Sequence, residues 1–111
     1  MTGTKFEVRL TQGAEDDLEQ IHSWLAEQRA ADDADALLDM FSQVLAGLQE
    51  FPMRVTVPKE LDALGIREFR QVLLHHYRVI YRVMGAAVYI LIIADGRRDM
   101  QALLERRLLG R

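Results

Sequence analysis

Apolar and polar positions alternate at the start of the chain, where Phe6, Val8 and Leu10 stand against Glu7 and Arg9, the period of a half-buried strand. The spacing then changes. Ala14, Leu18, Ile21 and Leu25 recur at helical intervals and predict an amphipathic helix over 13–31. Thr11 can cap it, and Glu15, Asp16 and Asp17 place negative charge beside its free N–H groups. A second stripe, Leu37, Met40, Phe41, Val44, Leu45 and Leu48, predicts a helix over 33–51 that starts at Asp32 or Asp33 and stops by Pro52. Gly47 weakens it slightly and points to close packing. The short polar link between the two helices favours an antiparallel hairpin. His22 and Trp24 flank the first stripe as packing or surface residues, and Met40 and Phe41 read as core.

From Phe51 onward the pattern becomes that of a sheet. Pro52 to Pro58 reads as irregular and Leu64-Gly65 as a turn. Ile66 to Leu74 alternates and predicts a strand. In a further strand, Tyr77 to Val83, the residues Tyr77, Val79, Tyr81 and Val83 line one face while Arg78, Ile80 and Arg82 line the other. Gly85 marks a tight turn, and the short 84–86 connection makes an antiparallel hairpin. Ala87 to Ala94 is apolar on both faces, so this strand is expected to be central with material above and below it. Asp95-Gly96 breaks it. A last helix from about Asp99 to Leu109 presents Met100, Leu103, Leu104 and Leu108, with Asp99 as its cap and Arg106, Arg107 and Arg111 near its C-terminus. The order β-α-α-β-β-β-α predicts one α+β domain over 1–111, in which an N-terminal strand and helical hairpin pack on a C-terminal antiparallel sheet followed by a helix.

Composition narrows the class. With 111 residues, 50% hydrophobic and 28% charged, the chain is the size of a single domain and too apolar for disorder. It has no cysteine, which removes disulfides and thiolate metal sites. No apolar run approaches the roughly 18 residues of a membrane span, and the start from Met1 to Phe6 lacks a signal peptide's apolar core, so the cytoplasm is expected. The net charge of −3 conceals a split: residues 1–50 carry three basic and eleven acidic side chains, residues 51–111 eleven basic and six acidic. A basic second half permits an anion-binding face, although solvated acidic helices alone would produce the same asymmetry.

Motifs for common cofactors are missing. There is no glycine-rich phosphate loop, and Asp95-Gly96-Arg97-Arg98-Asp99 lacks the spacing of a dinucleotide fingerprint. His22, His75 and His76 are the only histidines; adjacent histidines on a strand point to opposite faces and do not share one ion, so neither metal nor cofactor is expected. What remains is a set of arginines: Arg70, Arg78 and Arg82 on consecutive strands and Arg97-Arg98 where the apolar strand ends. If the strands pair as the turns suggest, these can gather into one basic surface whose guanidinium forks suit phosphate or carboxylate. Equally, Arg70 or Arg78 can pair internally with Glu68, Asp95 or Asp99.

The run Phe69-Arg70-Gln71-Val72-Leu73-Leu74-His75-His76-Tyr77-Arg78-Val79-Ile80-Tyr81-Arg82-Val83, followed by Val88 to Ile93 and then Asp95-Gly96-Arg97-Arg98-Asp99, resembles the RelE/ParE superfamily of bacterial toxins. Val8-Arg9-Leu10-Thr11, Ala14, Asp17-Leu18, Ile21, the Phe51-Pro52 junction and the closing Leu-Leu-Glu-Arg-Arg-Leu-Leu fit in order and spacing. The resemblance implies the toxin of a type II toxin–antitoxin pair, inhibiting growth or stabilising a plasmid and neutralised by a cognate antitoxin in a hetero-oligomer. ParE-like members poison DNA gyrase; RelE-like members cleave mRNA in the ribosomal A site without metal. For a RelE-like ribonuclease the resemblance places Arg78 and Arg98 at the positions of arginines that act on the scissile phosphate. The positions of two lysines are Gln71 and Phe69, and that of a base-stacking tyrosine is Leu104. His75 or His76 would have to replace the missing base. Gly96-Arg97-Arg98-Asp99 is closer to the ParE branch, so gyrase is the expected target and ribosome with mRNA the alternative.

Overall fold

A computed structural model describes residues 5–53 and 56–110. The first four residues, Arg111, and positions 54 and 55 within the Pro52–Pro58 segment lie outside it. Strand β1 (Glu7–Leu10) leads into helices α1 (Gln12–Gln28) and α2 (Ala31–Glu50), then a one-turn helix α3 (Lys59–Asp62), strands β2 (Arg70–Leu74), β3 (Tyr77–Met84) and β4 (Ala87–Asp95), and helix α4 (Met100–Leu108). Thr11 caps α1 by accepting the Ala14 N–H, and Asp99 caps α4 by accepting that of Ala102. The start of α2 differs from expectation: Ala30 stands at the cap without a side-chain bond, and Asp32 and Asp33 lie inside the first turn. There they still act on the helix dipole.

The four strands lie in the order β1-β4-β3-β2, with β1 parallel to β4 and the other pairs antiparallel. This agrees with three C-terminal strands joined by the N-terminal one, and it makes β4 central. Both of its faces are covered. On one side Ala14, Leu37, Phe41 and Leu48 of the α1–α2 hairpin pack on Tyr77, Val79, Tyr81, Val88, Ile90 and Ile93. On the other, Leu61 of α3 and Met100, Leu103 and Leu104 of α4 pack on Phe69, Ile80, Ile92 and Ala94.

Four local features depart from the sequence pattern. Helix α3 occupies a stretch with no assigned element, and its Leu61 is fully buried. Strand β2 begins at Arg70, four residues later than the alternation suggests. Tyr81 pairs with Ile90 and Ile80 with Ile92, so Leu91 is an unpaired bulge; Leu91 and Ile92 consequently both face α4. Gly47, expected at a close contact, has open space around it. Among the described residues no helix is long and apolar enough to cross a membrane.

Candidate functional site

An open cleft of about 880 Å³ lies between the helical hairpin and the end of the sheet. Trp24, Leu25 and Met40 form its helical wall, Tyr77 and Ile93 its floor, and His75, His76, Asp95, Arg97 and Arg98 its rim. Two adjoining turns shape that rim. Leu74 pairs with Tyr77, so His75 and His76 form a two-residue hairpin turn and not part of a strand. His75 sits at φ 56°, the left-handed region where such turns favour Gly, Asn or Asp. The second turn follows β4. Its Gly96 N–H donates to the His76 carbonyl at 2.8 Å. A Cβ on Gly96 would lie 3.1 Å from that carbonyl oxygen and from Arg78 Cδ, so any side chain there would crowd the close approach.

Asp95 organises the rim. It accepts the Arg97 backbone N–H at 2.9 Å, Arg97 Nε at 2.9 Å and Arg97 Nη2 at 2.6 Å. Those bonds from Arg97, against a smaller effect of burial, push the Asp95 carboxyl down to about 2. His76 Nε2 stands 3.7 Å from the same carboxylate, and its ring lies 4.3 Å from that of Tyr77. Burial, and then the Asp95 charge, raises the Tyr77 hydroxyl, while Arg97 and Arg29 oppose the rise.

The five arginines do not gather. Arg97 and Arg98 share the rim, but Arg97 is committed to Asp95. Arg70 lies on the hairpin side of β2 and donates to the Met53 carbonyl at 3.2 Å. Arg78 and Arg82 lie on the opposite side of the sheet. Arg82 pairs with Glu68 at 3.2 Å and sits 5.9 Å from the Phe69 ring centre. Arg78 is only 8% exposed; it reaches both Glu60 carboxylate oxygens, at 2.7 and 2.8 Å, and its Nε donates to Gln71 Oε1 at 2.8 Å. The internal partner is therefore Glu60, not Glu68, Asp95 or Asp99. The hydrogen bond from Arg78 holds the Glu60 carboxyl below the ordinary carboxylate range, against a smaller effect of burial.

What the rim offers chemically is a small set of hydrogen-bond donors beside an apolar floor, a combination suited to an acidic group with an adjoining apolar side chain. It includes no group of three or more acidic or imidazole side chains able to hold a metal among the described residues. Two contributors escaped the sequence: Glu60, in a stretch without assigned structure, and Arg29, which also lines the cleft. Arg29 is the one basic residue between Gln12 and Glu50, a signal masked by the acidity around it.

A search of curated proteins found no match. Among solved structures, the chromosomal ParDE toxin–antitoxin system of P. aeruginosa is similar, with a TM-score of 0.68 and 19% identity over 82% of this chain and 96% of that one. The toxin–antitoxin complex RelBE2 of Mycobacterium tuberculosis is similar with a TM-score of 0.54 and 21% identity, over 82% and 98% of the two chains. The family model for the ParE toxin of the type II toxin–antitoxin system parDE matches residues 8–100. With the family model spanning most of the chain and the fold agreeing over 82% of it, this protein belongs to the ParE toxin family.

Proposed function

We propose that the chain arrests growth by acting on DNA gyrase in the cytoplasm and that a cognate antitoxin holds it inactive in a hetero-oligomer. The observation that carries this reading is the state of Arg78. RNA cleavage needs proton transfer at the nucleophile and leaving group, with donors free to stabilise the phosphate. Arg78 is instead committed to Glu60 and Gln71. Gln71 has no titrating group, and Leu104, at the position of the base-stacking tyrosine, is fully buried. His75 and His76 lie in the turn just before β3, on the cleft, whereas Arg78 projects from the opposite face of the sheet.

An antitoxin has two grooves to fill. Besides the cleft, Phe69, Met84, Tyr89, Leu91 and Leu108 line a smaller groove beside α4, with Arg82 and Arg107 at its edge. Apolar anchors flanked by carboxylates would suit both. The similar structures from P. aeruginosa and M. tuberculosis are toxin–antitoxin assemblies, which supports such a partner.

Expression without the antitoxin tests the reading in cells. The expected outcome is SOS induction and altered nucleoid shape while translated messages keep their lifetimes. Rapid decay of those messages without SOS induction would favour the ribonuclease. Co-expression of the adjacent small gene should restore growth and give a co-purifying complex.

A further inference from the structure

Backbone strain at an exposed position calls for a function when no internal contact compensates for it. His75 meets that description. Its φ of 56° is the only positive value at a non-glycine position among the described residues, in a turn where Gly or Asn would fit with less strain. Its side chain is exposed. Among the described residues no hydrogen bond, ion pair or ring contact involves its imidazole, in contrast to His76, which meets both Asp95 and Tyr77. Arg98 is similar: its backbone is fixed by a 3.1 Å bond to the Asp95 carbonyl, yet its guanidinium has no ion pair among the described residues. The Gly96–His76 bond pins the two turns together. Two donor side chains without internal partners among the described residues thus line the same cleft, on turns joined by a backbone hydrogen bond.

We propose that His75 and Arg98 form a receptor for a carboxylate on the surface of the target protein, and that the strain at His75 is retained for this contact. The proposal rests on the reading that the target is a protein, and deepens it by naming the recognised group. An imidazole and a guanidinium both donate to a carboxylate oxygen or to phosphate. The surroundings favour the carboxylate. Beside the rim the cleft is apolar, with Ile93 on its floor and Met40 and the half-exposed Trp24 on its helical wall, and would take the side chain next to an acidic residue. A nucleic-acid strand would bring a row of evenly spaced charges past Asp17 and Asp33 of the same cleft, where a surface carboxylate brings one. Arg29 lines the same cleft and adds a further guanidinium.

The test uses the full-length chain and the variants His75→Asn, His75→Gly and Arg98→Gln. Each is expressed without antitoxin, scored for growth arrest at matched protein level, and purified for thermal melting and gyrase supercoiling assays. His75→Asn is expected to melt no lower than the natural chain, and about 2–4 °C higher if the turn relaxes, while arrest and supercoiling inhibition weaken at least tenfold. Arg98→Gln should weaken both to a similar degree without changing the melting temperature. Full arrest by His75→Asn and His75→Gly would overturn the proposal. So would a lowered melting temperature in both, because His75 would then serve the fold. Retention of duplex DNA or RNA oligonucleotides at 0.15 M salt by the natural chain, lost in the variants, would overturn the carboxylate assignment. Growth arrest judges the receptor whatever the target is, whereas the supercoiling arm judges the gyrase reading separately.

Discussion

Glu60 meets Arg78 through both carboxylate oxygens beneath a sheet face, and the two side chains are 12% and 10% exposed. Removing one member of so buried a pair leaves the other charge without a partner, so Glu60→Ala is expected to cost about 3 kcal/mol in urea unfolding. A Glu60→Ala, Arg78→Met double variant should recover most of that loss. The same carboxylates set the response to acid. Glu60 and Asp95 both titrate below the ordinary range when folded, so each adds stability that is complete above its unfolded value of about 4 and disappears as pH falls through the folded one. Unfolding free energy should therefore stay level from about pH 7 to pH 5 and fall below about pH 4. A shallower fall in Glu60→Gln would confirm that group's share; an unchanged slope would remove it. At this scale the sequence placed Arg78 on the correct strand face, since alternation fixes that. It could not supply the partner, because Glu60 comes from a four-residue helix with no periodic signal.

Strand β4 outruns β1 and leaves its far edge without a neighbouring strand. Side chains close that edge. Asp17 of α1 accepts the Ile93 N–H at 3.0 Å, and Arg107 of α4 donates to the Leu91 carbonyl at 3.0 Å while meeting both Asp17 oxygens at 3.1 Å. One ion pair thus ties the first helix, the last helix and the bulge together. Arg107→Ala should cost about 2 kcal/mol, the range for a hydrogen-bonded charge, and speed amide exchange at Ile93. Loss of stability without faster exchange there would place the effect elsewhere. Leu104→Ala, emptying a fully buried position of α4, should cost about 2–5 kcal/mol. The helices and strands were legible because their apolar periods are clear and Thr11, Asp99 and Gly85 punctuate them. The bulge was not: Ala87 to Ala94 is apolar throughout, and a shift of phase leaves no mark in a run without alternation.

Across the whole molecule, the basic second half does not become one basic face. The sheet separates Arg70 from Arg78 and Arg82, and carboxylates engage Arg78, Arg82 and Arg97. The rim is accordingly smaller than charge counting suggests, and it recruits Arg29 from the acidic half. Fold and family were within reach of the sequence, since both depend on the order of elements and motifs. The site was only partly so, because pairing between residues far apart decides which arginines remain available. The central claim, a gyrase-directed toxin, is met most directly with the purified chain in parallel assays of supercoiling by gyrase and of A-site cleavage on programmed ribosomes. Inhibited supercoiling with intact mRNA is predicted; codon-positioned cleavage with gyrase unaffected would contradict it.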